Sequence, residues 1–132
     1  MATIYREFTV DAPADAVWAR MSALGRAHEL FSFLVGSEVE GDRRVCHMAD
    51  GARLEELILD VDPERRRIAY AILRSPFGME FHSASWQAFP RGDTTLFAWT
   101  TDVKPDGMAP ELAKVIDGEL ANIRSALEEV AA

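Results

Sequence analysis

Cysteine, basic side chains and long apolar runs are all scarce in this chain of 132 residues. Cys46 is the single cysteine, which excludes a disulfide within these residues and suits a reducing, cytoplasmic location. Fourteen Lys and Arg residues stand against 22 Asp and Glu residues, a net charge of −8. Because nucleic acids and anionic membrane surfaces repel such a chain, neither is expected as a partner. The apolar stretch 30–35 is interrupted by Ser32 and is too short to span a bilayer, and no secretory signal pattern is visible at the N-terminus. We therefore expect no integral membrane association.

The common sequence signatures of catalysis and cofactor binding are missing as well. The chain has no glycine-rich phosphate loop, no Gly-x-Ser-x-Gly elbow and no Cys-x-x-Cys pair. His28-Glu29 begins like a zinc-protease helix, but Ser32 stands where the second histidine is required. The sequence therefore predicts neither a metal nor a cofactor.

The periodicity of the chain predicts one α+β domain over residues 1–132, with strands followed by a long helix. After the first strand, Pro13 suits the start of a short helix that ends near Gly25, and a second short helix is expected over 26–33. The turn over 90–93 is expected to separate the last two strands. Alternating apolar residues predict seven strands, over 3–10, 35–40, 43–49, 52–61, 67–74, 79–89 and 94–103.

A closing helix is predicted from Pro110 to about Val130 by an apolar stripe at helical spacing. The stripe consists of Leu112, Ile116, Leu120, Ile123, Leu127 and Val130. Short turns between the strands make an antiparallel sheet, and a helix about 10 Å across covers only part of a curved sheet's concave face. A cavity between the sheet and the helix is therefore expected, with Ile116 and Ile123 among the helix residues that face it.

Strand alternation indicates which side chains line that cavity. The set facing the helix is expected to contain Tyr70, Trp86, Phe97 and Trp99, together with His82, which is interpreted either as a satisfied wall residue or as a ligand contact. Buried Tyr and Trp side chains each bring a polar atom that needs a partner, so several of them at a predicted hollow favour an aromatic-lined ligand site. The alternative is that these side chains fill the core, which is the preferred interpretation for Phe97 and for one of the two Trp residues.

Charged residues supply further candidates. Either Glu55 or Glu56 must face inward on the fourth strand, where a desolvated carboxylate could act as a base or as a hydrogen-bonding anchor, unless a bulge lets both side chains reach water. Arg44 and Arg74 are interpreted as solvated residues at the rim, although either could pair with an acidic ligand group. On the closing helix Glu119 falls within the apolar stripe, and we expect it to line the cavity and to accept a hydrogen bond from Tyr70, His82 or a polar ligand group. On this view Glu119→Gln would leave stability unchanged or raised.

The order of the elements and several short motifs resemble the START-like helix-grip superfamily, in particular its SRPBCC branch of polyketide cyclases/dehydratases and lipid-transport proteins. The motifs are Val-Asp-Ala-Pro-Ala-Asp-Ala-Val-Trp at 10–18, the turn at 62–67, and Pro-Arg-Gly-Asp-Thr-Thr at 90–95 before a Trp-bearing strand. Phe31 departs from the family pattern, in which Trp is frequent. The resemblance favours Glu56 over Glu55, because many relatives carry a glutamate there.

The resemblance implies a curved seven-stranded antiparallel sheet wrapped around the long C-terminal helix. It also implies a function, for which three hypotheses stay open. The first is binding of a small hydrophobic or aromatic ligand, such as a lipid or a polyketide. The others are a cyclase or dehydratase that uses acid/base groups in the cavity, and an interaction module whose cavity has collapsed. The sequence leaves open whether the protein is an enzyme and what its oligomeric state is.

Overall fold

A computed structural model of the protein describes residues 1–129. Seven strands form one antiparallel sheet in the order β1-β7-β6-β5-β4-β3-β2. The strands are β1 (Ala2–Val10), β2 (Leu34–Glu40), β3 (Arg43–Met48), β4 (Arg53–Asp62), β5 (Arg67–Arg74), β6 (Phe81–Arg91) and β7 (Thr94–Lys104). The helices are α1 (Ala14–Met21), a 3-10 helix (Leu24–Glu29), a second 3-10 turn (Asp106–Met108) and α2 (Ala109–Glu129). The helix-grip fold expected from the sequence is confirmed.

Two expected boundaries after β1 are wrong. Helix α1 ends at Met21 rather than near Gly25, because Ala23 leaves helical geometry with a ψ of 77° and a 3-10 helix follows. The second short helix stops at Glu29 instead of reaching residue 33. The segment 30–33 is therefore free to carry Phe31 and Phe33 toward the concave face of the sheet, where both line the cavity.

The turn expected over 90–93 is shorter than predicted. Pro90 and Arg91 belong to β6, and only Gly92 and Asp93 form the turn, with Gly92 at a φ of 64°. Proline lacks a backbone N–H, but it is tolerated at this position because the pairing of β5 with β6 ends at Gln87. No β5 residue lies opposite Pro90, so no inter-strand hydrogen bond is lost on that side.

Helix α2 presents its apolar stripe to the sheet, as its periodicity predicts. Ile116, Ile123 and Leu127 are buried, and Leu112 and Leu120 pack at the edge of the same core. The expected extension to Val130 lies outside the described residues. Within residues 1–129 no helix has the length and apolarity that crossing a bilayer requires.

Candidate functional site

A cavity of about 690 Å³ lies between the concave face of the sheet and the N-terminal half of α2. Its volume falls in the range of ligand pockets. Its walls come from β3 to β7, from the segment 27–34, from the loop between β5 and β6, and from residues 107–119. The apolar part of the wall includes Phe31, Phe33, Met48, Leu54, Ile72, Met79, Met108, Leu112 and Ile116. Three methionines give this surface side chains that adapt to different ligand shapes.

The polar part of the wall begins with an ion pair on two neighbouring strands. Arg44 on β3 and Glu56 on β4 are register partners, and Arg44 Nε donates to Glu56 Oε1 over 2.6 Å. Their residue exposures are 7% and 4%, so the pair is withdrawn from water. Burial is the largest influence on the Arg44 pKa and acts to lower it, but attraction to Glu56 and Cys46, the hydrogen bond to Glu56 and attraction to Tyr70 together outweigh it, so the net shift is upward. Arg44 is therefore a permanent buried cation, and the expectation that it is a solvated rim residue is wrong.

Two further side chains surround this ion pair. The Cys46 thiol donates to Glu56 Oε1 over 3.4 Å, and burial raises its pKa to about 12, so it stays protonated. The Tyr70 ring lies 5.3 Å from the Arg44 guanidinium in a cation–π arrangement. Burial, followed by the nearby Glu56 charge, raises the Tyr70 pKa, so its hydroxyl is also protonated at neutral pH.

His82 fills a break in the ladder between β5 and β6. Backbone pairing of the two strands stops at Tyr70 and Ala84, and beyond it the Ile72 N–H donates to His82 Nδ1 over 3.1 Å. Burial lowers the His82 pKa to about 4, so the ring is neutral at pH 7. Because Nδ1 accepts a hydrogen bond, the ring proton is on Nε2. His82 is thus a neutral donor in the cavity wall.

The Trp99 side chain packs beside Tyr70 in the cavity wall. Its ring lines the cavity, whereas its Nε1 is buried behind that surface without an acceptor among residues 1–129. The indole N–H lies close enough to the Tyr70 hydroxyl to oppose the rise of the tyrosine pKa, but it lacks hydrogen-bond geometry.

Glu119 of α2 is buried at 5% exposure and lines the cavity, as expected, but its partner is not one of those predicted. Its carboxylate accepts from the Ser32 N–H over 2.6 Å and from Ser32 Oγ over 2.7 Å. One turn later Asn122 Nδ2 donates to the Leu30 carbonyl over 2.7 Å. These bonds fasten the segment 30–33 to α2, and with it the cavity-lining rings of Phe31 and Phe33.

The structure separates the predicted site residues into two groups. Glu56, Tyr70, His82, Trp99, Ile116 and Glu119 line the cavity. Trp86, Phe97 and Ile123 do not line it, and lie in the packed core beyond its closed end. The Phe97 ring stacks on Phe8 with centroids 5.1 Å apart and meets Trp86 at 5.3 Å, so no space is left there for a ligand.

Sequence reasoning missed Cys46 and Ser32, placed Arg44 at the solvated rim, and did not use Phe31 and Phe33 as wall residues. Arg44 and Cys46 share one strand face with a spacing of two, so that signal was present in the sequence. Their proximity to Glu56 follows from the β3–β4 register, which strand alternation does not reveal. The Ser32 contact joins residues 87 positions apart and carries no local signal.

The wall suits recognition by hydrogen bonds. Each of the two fully buried carboxylates is already engaged, Glu56 by Arg44 and Glu119 by Ser32, and His82 is neutral. Among residues 1–129 no group of three or more His, Cys, Asp or Glu side chains is arranged to hold a metal ion.

A curved antiparallel sheet gripping one long helix around such a cavity defines the START-like, helix-grip class. Over residues 1–132 the chain matches the model of the family described as polyketide cyclase / dehydrase and lipid transport, and it belongs to that family. No curated protein matches its sequence.

Solved structures of low sequence identity share the fold. A protein from Thermobifida fusca is 26% identical with a TM-score of 0.81, and the match covers 98% of this chain and 95% of that one. Norcoclaurine synthase from Thalictrum flavum, solved with dopamine and hydroxybenzaldehyde, is 21% identical with a TM-score of 0.75, over 98% of this chain and 85% of that one. A START superfamily protein from Mycobacterium smegmatis is 15% identical with a TM-score of 0.76, and the match covers 98% of this chain and 96% of that one.

Proposed function

We propose that the protein binds a small, largely apolar molecule in the cavity between the sheet and α2. The observation that carries the proposal is the cavity itself, which has about 690 Å³ of space between the sheet and α2. Aromatic, aliphatic and thioether side chains make up most of its surface, and the sheet wall holds a compact group of buried polar residues, Arg44, Glu56, Tyr70 and His82. This distribution suits a ligand with an apolar body and one polar end. The family description, which includes lipid transport, supports the same reading.

Binding is favoured over acid/base catalysis by the state of the titratable groups. A general base needs a pKa near the working pH and a free lone pair facing the substrate. Glu56 is paired with Arg44, and His82 uses its free nitrogen lone pair on the Ile72 N–H. The dopamine and hydroxybenzaldehyde of norcoclaurine synthase do indicate that this fold accommodates aromatic molecules of modest size. We take that likeness as support for aromatic binding rather than for the same reaction.

Native mass spectrometry of the protein purified from its own source is the first test. A co-purifying molecule of low mass, released on denaturation, is the expected result. The recombinant protein can then be titrated with 2-ethylnaphthalene, an apolar probe smaller than the cavity, and followed by two-dimensional amide NMR. We expect saturable one-to-one binding with shifts concentrated on the cavity wall.

A matched pair of helix variants controls this titration. Leu112 lines the cavity, whereas Lys114, two residues later on α2, is exposed. Leu112→Trp should fill the cavity and abolish binding, and Lys114→Trp should leave it unchanged. Equal binding by both variants, or shifts spread over the outer surface, would contradict the proposal.

Tryptophan fluorescence gives an independent readout. Only Trp99 of the three tryptophans lines the cavity, while Trp86 lies in the packed core and Trp18 packs at its edge. A non-absorbing apolar ligand such as a medium-chain alcohol should therefore lose most of its spectral effect in Trp99→Phe and keep it in Trp18→Phe. A full signal in Trp99→Phe would place the ligand elsewhere.

A further inference from the structure

The pairing between β5 and β6 is the shortest in the sheet. It consists of four register pairs, from Arg67 with Gln87 to Tyr70 with Ala84, whereas β6 and β7 pair over eleven. Beyond Tyr70 the last four residues of β5 (71–74) and the first three of β6 (81–83) have no register partner across this seam. Both strand ends stay in the sheet through their other neighbours, β4 and β7. The sheet is therefore split at this seam without either strand losing its support.

A cleft of about 330 Å³ occupies the split. It is lined by Ile72, Leu73, Arg74, Ser75, Gly78 and Met79. Ile72 and Met79 also line the large cavity, so these two side chains separate the cleft from the cavity. Strand alternation turns Ile72 toward the helix and Leu73 toward the convex side of the sheet. The cleft thus leads from the convex side toward the cavity.

One hydrogen bond spans the seam beyond Tyr70 among the described residues. It runs from the Ile72 N–H to His82 Nδ1 over 3.1 Å. The loop that follows β5 adds a local bond, from the Phe77 N–H to Ser75 Oγ, and a bond to β7, from the Glu80 N–H to the Lys104 carbonyl. Two strand ends joined by a single side-chain contact separate more readily than two strands joined by a continuous ladder.

Apolar side chains that are exposed to solvent border the seam. Leu73, Phe77 and Phe81 are 46%, 52% and 43% exposed. Leu73 ends β5 and Phe81 begins β6 on the convex face, on opposite sides of the split. Phe77 lies in the loop between them and also lines the cavity. A cluster of exposed apolar side chains marks a site of contact with apolar molecules.

From the split ladder, the cleft within it and its apolar border, we infer that the seam between β5 and β6 is a portal to the cavity. Loss of the His82–Ile72 hydrogen bond lets the two strand ends separate and joins the cleft to the cavity. An apolar ligand then enters and leaves through the sheet, past Leu73 and Met79. The portal rests on the proposed function and specifies the route by which the ligand exchanges.

A reversible crosslink tests the portal. Ala71→Cys/Ser83→Cys places two thiols one residue beyond the last register pair, at positions that do not line the cavity. Exchange of 2-ethylnaphthalene is followed by NMR line shape over a range of probe concentrations. The oxidised variant should show association and dissociation slowed together by at least about tenfold, with Kd within about twofold, because a portal sets the barrier and not the bound state. Reduction of the crosslink should restore the wild-type rates.

Arg67→Cys/Gln87→Cys is the matched control, since these residues are register partners at the paired end of the same two strands. Its oxidised form should leave both rates unchanged. Unchanged rates in oxidised Ala71→Cys/Ser83→Cys would overturn the portal and leave the proposed function standing, because the probe still binds. Absence of probe binding by the unaltered protein contradicts the proposed function, and the portal with it.

Amide hydrogen exchange tests the seam even if the crosslink does not form. The Ile72 and Ile68 N–H groups point to the same side of β5, but only Ile68 lies in the paired part of the strand. The Ile72 amide should exchange at least about a hundredfold faster than the Ile68 amide, because opening of the seam exposes it. His82→Ala should accelerate exchange at Ile72 and leave Ile68 unchanged. Equal protection of the two amides in the unaltered protein would mean that the seam opens only on unfolding, which overturns the portal.

Discussion

The space between the sheet and α2 has two halves that share one sheet and one continuous helix but are filled differently. Toward the C-terminal half of α2, Phe8, Trp86, Phe97, Ile123 and Leu127 interlock into a core without room for a ligand. Toward its N-terminal half, β3 to β7 and the same helix line about 690 Å³ of space. The difference lies in the strands that face the helix, because β1 contributes Phe8 to the packed half, whereas β3 and β4 contribute wall residues to the open half.

The packed half and the open half together show how a cavity persists in a small domain. In the packed half, contacts between large apolar side chains stabilise the fold through burial and dispersion. In the open half, buried polar groups are satisfied by one another, as in Arg44 with Glu56 and Ser32 with Glu119. Those hydrogen bonds fix the wall without filling the space. We therefore expect the two halves to respond differently to mutation.

The largest effect is expected from breaking the ion pair of the open half. Arg44→Met leaves Glu56 buried without its cation, and the free energy of unfolding should fall by about 3–5 kcal/mol. The double variant Arg44→Met/Glu56→Leu should recover most of that loss, because no charge then stays unpaired. Urea unfolding followed by circular dichroism measures both.

The pair Arg6–Asp117 is the surface control, with a similar 2.6 Å contact between more exposed side chains. Arg6→Met should lower stability by no more than about 1 kcal/mol. A cost for Arg44→Met as small as this would contradict the view that the open half depends on its buried polar network.

A matched pair of isoleucines compares the two halves directly. Ile123 and Ile116 are both buried on α2, but Ile123 lies in the packed core and Ile116 lines the cavity. Ile123→Ala should cost about 2–5 kcal/mol, since it creates a new void. Ile116→Ala should cost about half as much, because one side of that residue already faces open space. Equal losses in thermal or urea unfolding would show that the cavity is closed in solution.

The open half should also show a pH dependence that the packed half lacks. Burial lowers the His82 pKa to about 4 in the folded protein, from the 6.5 of an unperturbed histidine. Between these values the unfolded chain binds more protons, so stability falls as the pH drops from 6.5 to 4, by roughly 3 kcal/mol at most. His82→Gln keeps an acceptor for the Ile72 N–H and should remove this dependence.

His47, which is part-exposed and paired with Glu38, provides the control. His47→Gln should keep the wild-type slope of unfolding free energy against pH. A wild-type slope in His82→Gln would mean that other groups cause the acid sensitivity.

The smallest effect is expected at the hydrogen bonds between Glu119 of α2 and Ser32 of the segment 30–33. Glu119→Gln should lower stability by about 1–2 kcal/mol, because the two Ser32 hydrogen bonds lose their charge assistance. This replaces the expectation of unchanged or raised stability, which named Tyr70, His82 or a ligand group as the donor and did not include the two hydrogen bonds from Ser32. Glu111→Gln, at the exposed start of α2, should stay within about 0.5 kcal/mol in the same denaturation assay.

Sequence periodicity was sufficient to predict the main strands and the long helix, and the side of each to which its side chains point. The stripe of α2 and the alternation of β5, β6 and β7 predicted that Tyr70, His82, Trp86 and Trp99 point toward the helix, and all four are buried there. These properties are local, since a helix repeats every 3.6 residues and a strand every two regardless of what lies opposite.

The tertiary structure alone decided where the open space ends and which polar groups meet. Trp86 and Phe97 share a face with Tyr70, yet they pack against Phe8 and Trp99 rather than line the cavity. The contacts Arg44–Glu56 and Ser32–Glu119 depend on strand register and on the path of the chain between distant elements. Such contacts are set by the balance of packing over the whole domain, which no local pattern of residues encodes.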